Sequence, residues 1–483
     1  MTTIIYLAPL FAILLLLASR KATLLRAGLV GLVLVIPGIF FALPTDASVF
    51  GFVTRESVKG AWIAWHAVSV IAAGLFFHNI IKLTNARLFE IGDGGTSQFS
   101  YQALLAFCFL LGPFFESTVG FGMGIVILIP LLLRMGLSPI SAVIFSLFSQ
   151  ILVPWGALGV GTIVGAGIAG MPLAELGVRS AILSAPLLFG YLLVFWVLVA
   201  QEGWKVSAAQ RLDDVLWIAA LAVMLYLANR YIAVETGSLM ATSILLVLRY
   251  WRDVRPTPEA WRTMIRTATP YAMLTGILLA TRAFPTVAES LRHLWIWQPG
   301  TDFPAFPVFY HVSFWLLVSA VIFGAMRRLA GRRWAAAFEG TWKNAKIPIA
   351  VTLVYVVMAQ FMGASGIAAS LAQSWASITG NYAVFATPLF AAIAGFLTSS
   401  NIGSNAMVMP IQSGLASHGQ YDLGWVAALQ NTTGSNFTML SAARVAMGCS
   451  LLGNKVTEHA VYARAYLLGV AVILIMGAVP LFL

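Results

Sequence analysis

Apolar runs of roughly twenty residues recur along the whole chain, each long enough to cross a hydrocarbon core of about 30 Å. Bounded by charged residues, they fall near 3–18, 24–43, 58–82, 98–115 and 138–166. Others follow near 179–200, 214–233, 235–250, 264–281, 308–325, 346–363, 381–397 and 462–482. Segments 116–134 and 398–460 are apolar as well, but Gly, Ser, Asn and Thr break them. Irregular backbone is tolerated at membrane depth only where protein or a cavity covers it. The expected fold is therefore all-α: a polytopic integral membrane protein of about 12–14 spans with interrupted helices or re-entrant hairpins.

A soluble alternative would need a polar shell that the composition does not supply. Hydrophobic residues make up 60% of the chain and charged residues 9%, against about half and a quarter in soluble domains. The net charge of +11 sits between the apolar runs, where basic residues fix topology. It lacks the aromatic–basic interleaving of a nucleic-acid groove, so no nucleic-acid partner is expected. Cys108 and Cys449 both fall in apolar segments and read as reduced packing residues. The six histidines are dispersed, without the paired spacing of a metal site. No nucleophile–base motif or phosphate loop is present, so neither an enzyme nor a cofactor is expected. The first run has no basic residue before it and Arg20 and Lys21 after it, which reads as a retained helix rather than a cleaved signal.

Lys and Arg set the orientation. The clusters Arg249, Arg252, Arg255, Arg262, Arg266 and Arg327, Arg328, Arg332, Arg333, Lys343, Lys346 are both expected on the cytoplasmic side. The intervening segment 283–307, with Glu289 and Asp302, is then outside. Arg20, Lys21 and Arg26 place the first connection inside and the N-terminus outside. Under this assignment 3–18 and 264–281 cross in opposite directions, and each is followed by two long spans and a polar break. The first break is Glu116 to Gly122 and its counterpart Thr398 to Asn405. Second breaks follow, Ser149-Gln150 through Gly156 and Gln430 to Asn436. Opposed elements with breaks at matched positions are the mark of inverted repeats around a transporter's binding site. The expected halves are 1–203 and 263–483, joined by transmembrane helices in 204–262. The competing reading of such stretches is close helix packing through small residues.

Glu116, between two apolar runs, is a functional candidate because a carboxylate at membrane depth is costly. It could exchange protons; the alternative is a helix-end carboxylate wetted by the interface. Gly120 and Gly122 suggest an unwound turn whose N–H groups can face an anion. Ser399, Ser400, Asn401, Ser404, Asn405, Asn431, Thr432 and Thr433 offer hydroxyls and amides without fixed charge. Such groups suit a substrate that combines a carboxylate with a hydroxyl, and equally a sodium ion. Arg444, on an apolar helix, can hold a carboxylate in a two-point fork or snorkel to the cytoplasmic face. His66 is a second intramembrane titratable group, able to relay protons or simply to form a structural hydrogen bond.

At these same residues the sequence resembles the L-lactate permease family of bacterial monocarboxylate transporters. Phe114-Phe115-Glu116-Ser117-Thr118-Val119-Gly120-Phe121-Gly122 is similar to that family's acidic Gly-Phe-Gly element. Phe396 to Asn401, Ser404-Asn405-Ala406 and Gln412 resemble a second element, and Asn431-Thr432-Thr433-Gly434 with Met439 and Ser441 a third. Four positions depart from the family pattern: Gly124 and Ala442 replace prolines, Asn401 an acid and Thr438 a lysine. Arg444 stands near enough in sequence to supply the lost cation. The resemblance implies proton symport of a small 2-hydroxy monocarboxylate, lactate or glycolate, through a bacterial inner membrane. A sodium-coupled transporter of another organic anion, such as a dicarboxylate, is the alternative that the oxygen-rich breaks permit.

Overall fold

A computed structural model of the protein describes residues 2–19, 21–44, 47–84, 100–419 and 421–482. Arg20 of the first basic connection and the start of the 98–115 run lie outside the described residues.

Helices dominate. In chain order they begin with α1 (Thr2–Ala18), α2 (Leu24–Ala42), α3 (Val49–Leu83), α4 (Tyr101–Ala106) and α5 (Gly112–Val119). There follow α6 (Met123–Arg134), α7 (Pro139–Ser146), α8 (Gly156–Ala169) and α9 (Leu173–Gln201). The middle of the chain gives α10 (Ala208–Tyr231) and α11 (Gly237–Arg249). The remainder comprises α12 (Pro258–Ala283), α13 (Pro285–Leu294), α14 (Val312–Met326), α15 (Gly331–Ala364) and α16 (Ile367–Thr379). It ends with α17 (Thr387–Thr398), α18 (Asn401–Gly419), α19 (Leu423–Phe437), α20 (Ala442–Ser450) and α21 (Glu458–Ala478). Among the described residues seven helices are individually long and apolar enough to span a bilayer, or up to ten if each bent pair counts as one span. α1, α6 and α14 are shorter apolar helices.

Side-chain oxygens at the helix starts accept the orphan N–H groups there: Thr23, Ser48, Ser138, Thr257, Asp422, Ser441 and Thr457. Ser207 and Gln210 form a full capping box at α10. Segment 283–307, read from sequence as a loop, holds α13 and a two-residue strand pair, Ile296–Trp297 with Phe306–Pro307. Arg55 at the start of α3 pairs with Asp302, holding that carboxyl below its ordinary range and tying the loop to the helix.

Contacts along the helices fix their relative directions. α3 and α15 lie antiparallel: Glu56 accepts from Gln360 at 2.7 Å, Gly60 abuts Val357, and Asn79 donates to Thr341 at 3.1 Å. α2 runs parallel to α15, with Gly28 against Tyr355 and Gly31 against Met358. α14 runs parallel to α3, with His311 beside His66 and Gly324 against Ile80. α1 is antiparallel to α2, through Ile13 on Gly31 and Tyr6 on Gly38. α12 is antiparallel to α3, because Tyr271 meets Phe77 while Arg282 reaches Tyr310, beside the His66–His311 contact. It follows that α1 and α12 run in opposite senses, and that α2 sits on α15 as α14 sits on α3.

Two apolar cores result. One gathers α1–α3, α5, α12 and α14–α17, and the other α4, α6, α7, α9 and α19–α21. α10 and α11 lie mainly in the second but touch the first through Ala228, Leu239 and Met240. α8 and α18 contribute to both, with Leu158, Val160 and Met407 in the first and Ala166 and Met409 in the second. α17 and α19 approach so closely that a Cβ on Gly395 would overlap the Gly434 carbonyl oxygen. Gly395→Ala should therefore cost about 1–3 kcal/mol or more, since backbone rather than a flexible side chain must move. A thermal unfolding scan of the purified variant should show the loss, and a wild-type midpoint would contradict this packing.

Candidate substrate and ion-coupling site

The first break closes on itself. After α5 the backbone takes positive φ at three successive residues, Gly120 (73°), Phe121 (55°) and Gly122 (83°), and then enters α6. This reversal brings the start of α6 back over Glu116. The Gly122 N–H donates to Glu116 Oε1 at 3.1 Å and the Gly124 N–H to Oε2 at 3.4 Å. The helix amino terminus thus holds an anion, and the anion is the protein's own carboxylate. Arg444 approaches from α20 with Nη1 3.5 Å from Glu116 Oε1, an ion pair whose Nη1 makes no hydrogen bond. Both residues are buried, Glu116 at 2% and Arg444 at 8% exposure. A carboxylate and a guanidinium so placed must remain matched, because removing either leaves an uncompensated buried charge. Gly122 is required twice over, by its left-handed φ and because a Cβ there would overlap Arg444 Nη1.

The other three breaks meet around Asn431. Asn401 Nδ2 and Asn405 Nδ2 donate to Asn431 Oδ1 at 3.0 and 2.8 Å. Asn431 Nδ2 donates in turn to Thr162 Oγ1 at 3.1 Å and Ser180 Oγ at 3.0 Å. Asn405 also donates to Gly161 O at 2.9 Å, and Thr162 to Pro154 O at 2.6 Å. α18 begins after a turn with Ser399 at φ 55°, and α8 begins with a left-handed turn at Ala157, Leu158 and Gly159. α8 joins the two clusters: Gly156 lies against Glu116 and Gly161 against Asn401. The asparagine amide donors are used up here, while amide oxygens and two hydroxyls are left over. Asn401 Oδ1, Asn405 Oδ1, Gln150 Oε1, Gln430 Oε1, Thr432 Oγ1 and Thr433 Oγ1 are buried without partners. Buried polar groups are normally satisfied, so this surplus calls for a donor or a cation.

The remaining sequence candidates take other places. Ser404 Oγ accepts from Gln430 at 3.2 Å and faces Gly434, which stitches α18 to α19. Ser400 Oγ accepts from the Gly403 N–H at 3.3 Å, a cap inside the break. His66 lies apart from Glu116, in an aromatic group with Trp62, Phe306 and His311. Sequence reading did not single out Thr162, Ser180 or Gly161. They are isolated small residues in apolar runs, and only the fold sets them against Asn431.

Bilayer-length helices, broken where a buried ion pair and an amide cluster meet between two cores, are the architecture of a multi-pass membrane transporter. The profile of the L-lactate permease family matches residues 2–299 and 296–483. The chain belongs to that family. The L-lactate permease of Escherichia coli (strain K12) is 24% identical over 481 residues, covering 88% of this chain and 85% of the relative. The L-lactate permease of Bacillus subtilis (strain 168) is 22% identical, with 90% and 88% covered. The glycolate permease GlcA of Escherichia coli (strain K12) is 23% identical, with 88% and 86% covered. Among solved structures the YdaH transporter of Alcanivorax borkumensis, described as having an unusual topology, is similar with a TM-score of 0.51 and 12% identity. That likeness covers 91% of this chain and 89% of the other, and concerns the fold.

Proposed function

We propose that the protein carries a small 2-hydroxy monocarboxylate of the lactate or glycolate type across a bacterial inner membrane together with a proton. The observation that carries this reading is the Glu116–Arg444 pair on the amino terminus of α6. Glu116 occupies donors that would serve a substrate carboxylate equally well. A proton on Glu116 cancels its claim on Arg444, and the guanidinium then takes the substrate carboxylate. The substrate hydroxyl donates to Asn405 Oδ1 and accepts from the Thr432 and Thr433 hydroxyls, all three buried without partners. Release of the proton on the cytoplasmic side returns Glu116 to Arg444 and expels the substrate.

The halves 1–203 and 263–483 form the inverted repeat in this proposal, with the N-terminus outside. The opposed α1 and α12, and the matched α2–α15 and α14–α3 pairs, support it. Each apolar core draws on both halves, so one core can rock against the other across the α8–α18 seam and open the site to each side in turn. Counterflow by the purified protein in liposomes, against a panel of labelled carboxylates, tests the substrate class. Exchange should be confined to small 2-hydroxy monocarboxylates, and exchange of dicarboxylates alone would overturn the reading.

A sodium-coupled reading draws on one observation, the surplus of buried acceptors around Asn431. Replacing sodium by choline during uptake separates the two. Under proton coupling the rate should be unchanged, whereas a loss of most uptake would favour sodium.

A further inference from the structure

Among the described residues three arginines are at least nine-tenths buried: Arg249 at 1%, Arg282 at 4% and Arg444 at 8% exposure. Arg249 pairs with Asp253 at 2.8 Å and Arg444 with Glu116. Arg282 has no carboxylate within ion-pair distance among the described residues. Its Nη1 donates to Thr281 Oγ1 at 2.7 Å and its Nη2 to the Tyr310 carbonyl at 2.8 Å, while Nε is buried without a partner. The fields of Glu235 and Arg292, of opposite sign, both act on it. A buried cation without a counter-ion is strongly unfavourable, so the site is built for an anion that comes from elsewhere.

The surroundings fit that role. Arg282 and Arg292 both lie over the Tyr310 ring, with Cζ 5.0 and 4.6 Å from its centroid. Arg292, half exposed and paired with Glu289 at 3.5 Å, donates to the Tyr310 hydroxyl at 3.1 Å. Arg282 stands at the far end of α12 from Arg262 and Arg266, hence on the membrane face opposite the basic clusters. Its Nε and Nη2 lie along one edge of the guanidinium, an edge of the kind that binds a carboxylate in a two-point fork.

We propose that Arg282, with Tyr310 and Arg292, forms a second anion site that takes the substrate carboxylate at the mouth of the pathway, before it reaches Arg444. This rests on the monocarboxylate reading above. Equilibrium binding of radiolabelled L-lactate to the full-length protein in phosphatidylcholine nanodiscs should give two sites per chain. Arg282→Gln should leave one and raise the uptake KM at least tenfold, with a smaller effect on the maximal rate. Arg282→Lys, which keeps the charge without the fork, should fall between, and its recovery separates a binding role from a folding defect. Arg444→Ala should instead weaken the other site and leave the Arg282 site in place. A single site in the wild type, or an Arg282→Gln variant with unchanged site number and KM, would overturn the proposal. Phosphatidylglycerol that co-purifies with the wild type but not with Arg282→Gln, at unchanged lactate stoichiometry, would identify the anion as a lipid head group and also overturn it. If the wild type binds and transports no monocarboxylate, the reading of the function falls and this inference with it.

Discussion

Glu116→Gln should exchange substrate across a liposome membrane yet fail to concentrate it when a pH gradient is imposed. The amide keeps an oxygen for the Gly122 N–H, so the reversal between α5 and α6 is retained. It carries no charge, which leaves Arg444 permanently open to the substrate carboxylate. One pH unit stores about 1.4 kcal/mol per proton, enough for about tenfold accumulation in one-to-one symport. The variant should hold the ratio near one while counterflow proceeds at a rate comparable to wild type. Should it still accumulate substrate in response to the gradient, Glu116 is structural, and His66 is the next residue to replace.

Arg444→Ala should weaken binding at every pH, because in the proposed cycle the group it removes holds the substrate rather than the proton. Hydrogen bonds to charged groups contribute about 1.5–3 kcal/mol, so the dissociation constant should rise on the order of 10- to 100-fold. Stability should fall too, by about 3–5 kcal/mol, since Glu116 then lies buried without its guanidinium. The two effects separate in a double variant. Arg444→Met together with Glu116→Gln removes both charges, so it should regain most of the lost stability without regaining affinity. Wild-type affinity in that double variant would take Arg444 out of the binding site.

Most of the helices were legible in the sequence because the bilayer demands apolar runs of nearly fixed length. Errors cluster where that demand stops. The run expected at 346–363 belongs to a helix that starts at Gly331, because Arg332, Arg333 and Lys343 continue it past the apolar stretch. The run 381–397 begins as 3-10 turns and becomes α17 only at Thr387, where Pro388 fits the first helical turn. Glu116 stood out because a lone acid between apolar runs has few structural explanations. Its engagement with Gly122 and Gly124 could not be read, since it depends on three consecutive positive φ angles. The glycines suggested donors for a foreign anion, whereas the nearest anion proved to be six residues back along the chain. Arg282 was invisible for a different reason. It closes an apolar run just where topology-setting arginines are common, and only its burial with no ion-pair partner among the described residues distinguishes it.

In the proposed cycle one guanidinium is shared by two competing carboxylates, and that bears on leakage. A carrier that took up a proton with no cargo, and then reoriented, would dissipate the gradient that drives it. Protonating Glu116 in the empty protein would strip Arg444, only 8% exposed, of its counter-ion. That half-loaded state is disfavoured until a second carboxylate arrives, so idle turnover is suppressed without any separate gate. The tightness of coupling then follows from counting: two anions, one proton and a single cation buried between them.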